Sequence, residues 1–174
     1  MVLYNHNNCA LSGAEGDVPM KEPEHYLTPI LIQLYNSTLS HLDRFKDSMS
    51  EMSKKIRIQQ FQVITLGSSR RMGHTQATLS LIKDRKLKTI YICGNSIQKK
   101  NVQQDVKEYQ MDNVFVYGSY SDMFYSVIGT DLRNDIDLVV IDESIMSQNK
   151  RDQILDIICK SKSDPIILRM QPKF

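Results

Sequence analysis

Apolar side chains recur along the first third of the chain at steps of mostly three and four. Leu27, Leu31, Leu34, Tyr35, Leu39, Leu42, Phe45, Met49 and Met52 form the series, with Gln33, Ser37, Asp43, Lys46, Asp47 and Glu51 between them. Spacing of this kind lays one apolar stripe along a helix. Thr28 as N-cap, Pro29 at the first helical position and Lys54 and Lys55 near the negative dipole end bound it. The pattern predicts one long amphipathic helix over about residues 29 to 53. Two readings of its stripe stand: a helix packed on the sheet that follows, or an arm for a protein partner or a second copy. The stripe lacks the flanking charge pairs of a coiled coil.

From residue 56 the texture changes. Ile56, Ile58, Phe61, Val63, Ile64 and Leu66 predict an extended stretch that Gly67 ends. Short apolar runs follow at residues 89 to 93, 114 to 117, 137 to 141 and 165 to 168, each read as a strand. Residues 74 to 84, 97 to 110, 120 to 129 and 147 to 161 read as helices or helical turns. Continuous apolar strands alternating with helices imply a parallel sheet covered on both faces. Residues 1 to 24 are polar, carry Gly13, Gly16, Pro19 and Pro23, and show no period. The expected organisation is therefore a flexible arm over 1–28, the amphipathic helix over 29–55, and an α/β domain over 56–174.

Composition bounds the picture without sharpening it. A chain of 174 residues, 41% hydrophobic and 24% charged, suits one soluble domain. The net charge of +2 is too small to announce a nucleic-acid partner by itself. The three cysteines, Cys9, Cys93 and Cys159, form no zinc-like cluster and fit reduced thiols, with Cys93 and Cys159 in apolar stretches that assign them to packing. No apolar run approaches a membrane span and no secretory leader is legible, so a cytoplasmic protein without membrane contact is expected.

Candidate chemistry begins where the first strand ends. Ser68-Ser69-Arg70-Arg71-Met72-Gly73-His74-Thr75 follows that strand and opens a helix. The spacing is that of a phosphate-binding loop, G-x-x-x-x-G-K-[ST], with Ser68 at the first glycine, Gly73 at the second, His74 in place of lysine, and Thr75. Such a loop wraps backbone N–H groups and a helix N-terminus around phosphate, and its hydroxyl ligates Mg²⁺. His74 is shorter than lysine and largely neutral at pH 7, so Arg70 and Arg71 are the compensating cations. The competing reading is a glycine-bearing strand-to-helix turn with exposed arginines.

The run Asp137-Leu-Val-Val-Ile-Asp142-Glu143-Ser144 sets two acids at the C-terminal edge of a buried strand, the edge where ligands bind in open α/β sheets. A solvated acidic turn is the alternative. The pattern resembles a Walker B box, in which Asp142 would hold Mg²⁺ and Glu143, the catalytic residue, would polarise the attacking water.

Over about residues 56 to 170 the chain resembles the RecA-like core of the helicase and terminase branch of P-loop NTPases. Ser69-Arg70-Arg71-Met72-Gly73-His74-Thr75 is similar to the arginine-rich loops of phage large-terminase ATPase domains, and Asp142-Glu143-Ser144 to the D-E-x boxes of that branch. The resemblance implies a RecA-like three-layer parallel sheet preceded by a long helix. It also implies ATP with Mg²⁺ as cofactors, work on nucleic acid, and a viral or mobile-element setting. Ser69 to Thr75 would cradle the phosphates, Thr75 and Asp142 the metal. The chain departs from the family in lacking the lysine and a second RecA-like or nuclease domain, and Arg169 or Gln171 would stand only loosely for a sensor.

Other features complete the expectations. Arg70, Arg71, Lys83, Arg85, Lys86 and Lys88 make a basic stretch for a nucleic-acid backbone or a solvated helix face. Tyr117, Tyr120, Phe124 and Tyr125 are base-stacking or core aromatics. His6, His25 and His41 receive no role. Three functions remain open: a weak or partner-dependent ATPase in packaging, replication or repair; a non-catalytic relative that binds a partner; and an assembly subunit joined through the 29–53 helix.

Overall fold

A computed structural model describes residues 25–68, 73–118, 135–142 and 146–172. The expectations for the arm over 1–24, the helix over 120–129, and the side chains of Ser69, Arg70, Arg71, Met72 and Glu143 lie outside the described residues.

The expected single helix is divided. It forms α1 (Thr28–Arg44) and one turn, α2 (Lys46–Met49), with a break at Phe45, where φ is −105° and ψ 14°. Nor is Thr28 the N-cap: Leu27 takes that position without a side-chain bond, and the Thr28 N–H donates to the His25 carbonyl at 2.9 Å in a preceding turn. Leu31 and Tyr35 bury one face of α1, while Ile30 and Leu34 remain exposed.

The stretch from Ile56 is also helical rather than extended. Helix α3 (Lys54–Phe61) is capped by Ser53, whose hydroxyl accepts from the Ile56 N–H at 3.4 Å. Here β-branched propensity yields to tertiary contacts. Ile58 is wholly buried, the Lys54 ammonium donates to the carbonyls of Ser161 (2.8 Å) and Ser163, and Lys55 and Arg57 pair with Asp156 and Asp164 at 2.8 and 2.7 Å.

The remainder alternates strand and helix as its pattern requires. Strand β1 (Val63–Ser68) leads to α4 (His74–Arg85), then β2 (Thr89–Cys93), α5 (Ser96–Glu108) and β3 (Val114–Gly118). Strand β4 (Leu138–Asp142) is followed by α6 (Gln148–Lys160) and β5 (Ile166–Pro172). The described strands form one all-parallel sheet in the order β1-β5-β4-β2-β3. Every residue of β2 is buried, as a central strand covered on both faces must be.

Strand alternation divides the core into two layers. Tyr91, Cys93, Leu138, Val140, Ile166 and Leu168 meet Leu31 and Tyr35 of α1, Leu79 and Ile82 of α4, and Val102 of α5. Ile90, Ile92, Val139, Ile141 and Ile167 meet Ile58 of α3 and Ile154 and Ile158 of α6. The molecule is thus a three-layer α/β structure, and truncating a wholly buried strand residue such as Leu138 or Ile92 to alanine would cost about 2–5 kcal/mol. No described helix is long and apolar enough to cross a membrane.

The topology sends the chain to opposite faces of the sheet after different strands. The loops leaving β1 and β2 lead to helices on one face, whereas the loop leaving β4 leads to α6 on the other. Loops that diverge to opposite faces leave an opening at the strand C-termini, where α/β proteins bind ligands. Asp142 is the last residue of β4, at the C-terminal edge of the sheet.

Candidate functional site

The site is assembled from strands β2 and β4 and the start of helix α4. Gly73 supplies the entry to α4 in the left-handed conformation (φ 72°, ψ 21°), and, having no side chain, leaves the first-turn N–H groups without a side-chain cap. Helix α1 likewise lacks a side-chain cap, whereas α5 and α6 have one. Asn95 caps α5 through the Gln98 N–H at 2.8 Å, and Ser147 caps α6 through the Lys150 N–H at 3.4 Å. His74 and Thr75, the first two residues of α4, are both half-buried.

Strand alternation places Asp142 on the same face as Leu138 and Val140, the face that α4 covers. Cys93 and Tyr91 lie on that face of the neighbouring strand, since Tyr91 is in register with Val140. Four groups distant in sequence therefore converge: His74, Thr75, Tyr91 and Asp142.

Their electrostatics record the convergence. Burial, and after it the His25 imidazole, hold His74 below the usual imidazole range, while the Asp142 carboxylate pulls the other way. Burial pushes the Tyr91 phenol well up, the charges of Asp142 and Cys93 add to this, and the Thr75 hydroxyl opposes it. Burial, then Asp142, push the Cys93 thiol up to about 12. A thiol so placed is inert, in keeping with the packing role expected for Cys93. Cys159 is half-buried against the second core layer, likewise a packing residue.

Tyr91 is the unusual member. Its side chain is wholly buried, yet Oη has no hydrogen-bond partner of good geometry among the described residues. Thr75 comes near enough to influence the phenol but not in the alignment of a full bond. This hydroxyl lies within reach of the Thr75 hydroxyl and of the Asp142 charge.

Among the described residues no group of three or more His, Cys, Asp or Glu side chains is placed to hold a metal. The oxygens present, the Thr75 hydroxyl and the Asp142 carboxylate, are hard donors of the kind Mg²⁺ takes when substrate phosphates and water complete its shell. They fit that ion and do not fit zinc.

Of the residues the sequence singles out, the structure brings together Gly73, His74, Thr75 and Asp142. Others are set apart. Arg85 and Lys86 lie at the far end of α4, a helix of 12 residues and so about 18 Å long, and Lys88 precedes β2 at the opposite edge of the sheet. Alternation directs Arg169 and Gln171 to the α3 and α6 face, away from Asp142. Tyr117 packs against the second core layer.

Two residues in the site carry no sequence signal. Tyr91 is one apolar-strand residue among five, and His25 stands alone before α1, yet its ring fills the space beside Gly73. His41, also without an expected role, stacks on Phe61 with ring centroids 5.7 Å apart. Neither protein-family models nor curated protein sequences give a match to this chain.

Proposed function

We propose that the protein binds a nucleoside triphosphate, ATP in the first instance, with Mg²⁺ at the C-terminal edge of its sheet, as a RecA-like P-loop ATPase core with a degenerate phosphate loop. The observation that carries this reading is the convergence of the α4 N-terminus and Thr75 with the Asp142 carboxylate around the buried Tyr91 hydroxyl. One strand, β5, separates β1 from β4, so the two strands lie about 10 Å apart, a span that suits a polyphosphate and its cation.

In this reading the first-turn N–H groups of α4 and residues Ser69 to Thr75 hold the phosphates, with Arg70 and Arg71 supplying charge. Thr75 and Asp142 hold Mg²⁺, which when bound neutralises phosphate charge. Glu143 orients the water for hydrolysis. Activity in a nucleic-acid process, and a viral or mobile-element setting, rest on the family resemblance. A nucleic-acid backbone would be met by Lys83, Arg85, Lys86 and Lys88 at the other edge, and an unaltered salt slope on DNA in an Arg85→Ala/Lys86→Ala variant excludes that surface.

A second reading is binding without turnover. It is favoured by His74, whose depressed pKa keeps the imidazole neutral where the family places a lysine charge. Calorimetric titration with Mg-ATP, together with phosphate release measured with and without DNA or RNA, separates the two. ATPase function predicts binding, with turnover lost in Glu143→Gln. Binding with no turnover in either protein selects the second reading, and no binding at millimolar nucleotide rejects the ATPase, leaving a non-catalytic relative that binds a protein or nucleic-acid partner.

A further inference from the structure

We infer that Tyr91 is a positioning residue for the cation of the proposed site, acting through the Thr75 hydroxyl and the Asp142 carboxylate. The inference rests on the nucleotide reading above and adds to it a residue that neither the phosphate loop nor the acidic strand end contains.

The sheet fixes where the ring stands. Tyr91 is the middle residue of β2, in register with Val116 of β3 on one side and Val140 of β4 on the other. Its side chain is wholly buried in the core layer that α4 covers. Asp142 lies two residues beyond Val140, on the same face of β4 and nearer the strand C-termini. A separate contact places the start of α4 over the same spot. The wholly buried Thr78 hydroxyl donates to Met170 Sδ at 3.8 Å, and Met170 is in register with Asp142. Thr75 precedes Thr78 by three residues, so it shares that face of α4 one turn nearer the N-terminus.

The phenol so placed brings a hydroxyl to this junction. Oη is buried and has no well-aligned partner among the described residues. It lies within reach of the Thr75 hydroxyl, and of the groups whose charge acts on it Asp142 comes first, ahead of Cys93 and Asp105. Burial keeps the proton on the phenol at neutral pH, so Oη is a donor facing two oxygen acceptors. A phenylalanine would fill the same space and bury no hydroxyl, so packing alone gives this oxygen no use.

Chemistry supplies the role. A small divalent cation takes few protein oxygens and demands near-ideal octahedral geometry, so the direction in which each lone pair is presented decides affinity. The Thr75 hydroxyl has two lone pairs; a bond from Tyr91 Oη–H to one of them leaves the other fixed for the cation. A bond to one Asp142 oxygen holds the second in the same way. In either arrangement the donor acts from beneath, inside the core, and does not touch the ion. Partners that orient a metal ligand from behind commonly set metal affinity by tenfold or more.

The test is calorimetric titration of the full chain with ATP, with and without Mg²⁺, comparing the unaltered protein with Tyr91→Phe. A positioning role predicts about a tenfold loss of affinity for Mg-ATP in the variant, with metal-free ATP within about twofold and the urea midpoint equal or higher. A loss of the same size with and without Mg²⁺ makes Tyr91 a packing residue and overturns the inference, as does an unchanged affinity for Mg-ATP. Should Tyr91→Phe not fold, the ring Cζ resonance of Tyr91 in the unaltered protein decides. It moves with saturating Mg-ATP and not with saturating metal-free ATP if the hydroxyl serves the cation; equal movement with both, or none, overturns the role. In each of these outcomes ATP binds and the nucleotide reading stands. Absence of binding in the unaltered protein overturns the nucleotide reading, and this inference with it.

Discussion

At the edge of the sheet where strands begin, polar groups are closed in on one another. The Thr89 N–H donates to the Asn113 carbonyl at 2.8 Å, and Asn113 Nδ2 donates to the Leu87 carbonyl at 2.6 Å. Lys88 and Asp137 exchange two bonds, Lys88 N–H to Asp137 Oδ2 at 2.8 Å and Asp137 N–H to the Lys88 carbonyl at 3.0 Å. The Ile136 N–H reaches Ser163 Oγ at 3.3 Å, and the Ile167 N–H reaches the Gln62 carbonyl at 2.8 Å. Gln62 Oε1 and Arg57 Nε are exceptions, buried without a partner. The edge where strands end holds the proposed site. There Gly73 opens a helix without a side-chain cap, His74 is held neutral, and the Tyr91 hydroxyl is buried without a well-aligned partner. Satisfied groups stabilise the native chain; groups left partly satisfied do so only when something else completes them. One edge is thus largely satisfied within the chain, and the other is where the proposed ligand site lies.

Paired substitutions break or sharpen that contrast. The largest expected effect is on binding: Thr75→Ala or Asp142→Ala should weaken Mg-ATP at least about a hundredfold, read by calorimetry, with the thermal midpoint little changed. Asp137→Ala is the counterpart at the other edge. It removes the acceptor of the Lys88 N–H at an exposed pair and should lower the unfolding free energy by about 0.5–1.5 kcal/mol in urea while nucleotide affinity stays within twofold. If Asp137→Ala lost binding and Thr75→Ala lost stability, the division between the edges would be wrong.

A smaller effect is expected at the α4 entry. Gly73 sits at φ 72°, where an L-residue costs about 1–2 kcal/mol, and the His25 ring occupies the space its Cβ would need. Gly73→Ala should therefore destabilise the protein by about that amount or more in denaturant titration. The same change made with His25→Ala should cost less, because only the backbone strain remains. Equal costs in the two backgrounds would show that the ring yields freely.

Much of the layer architecture was legible, and the reasons separate cleanly from those for the failures. Strands β2, β3 and β4 are short β-branched runs bounded by helix caps and turns, so pattern and packing agree. Strand β5 extends beyond its apolar run because polar Arg169 and Gln171 alternate with buried Leu168 and Met170. Helix α3 is not legible in the sequence because Ile56 and Ile58 mimic a strand, while its anchors Asp156, Ser161, Ser163 and Asp164 lie a hundred or so residues away. The break at Phe45 falls within an unbroken apolar series and has no local marker. In the site, Gly73, Thr75 and Asp142 are visible through spacing, which is a local property. Tyr91 and His25 are not, because each acquires its neighbours only through the parallel sheet and the docking of α1.

The smallest expected effect returns to α4, which has a left-handed residue at each end. Gly73 is one and Lys86, with φ 53° and ψ 37°, is the other; Gln110 repeats the second case after α5 at φ 53°. The backbone demand is similar, but the surroundings differ. At Gly73 the His25 ring excludes a Cβ, whereas Lys86 is exposed and its side chain has room. Strain at Lys86 is thus tolerated rather than required, and the Leu87 N–H still closes the helix on the Ile82 carbonyl at 3.1 Å. Lys86→Gly relieves the Cβ strain but adds freedom to the unfolded chain, so the net gain should be about 0.5 kcal/mol, with nucleotide affinity unchanged. Urea unfolding measures the first and calorimetry the second. A loss of stability would mean that the lysine side chain contributes more at the helix end than its left-handed backbone costs.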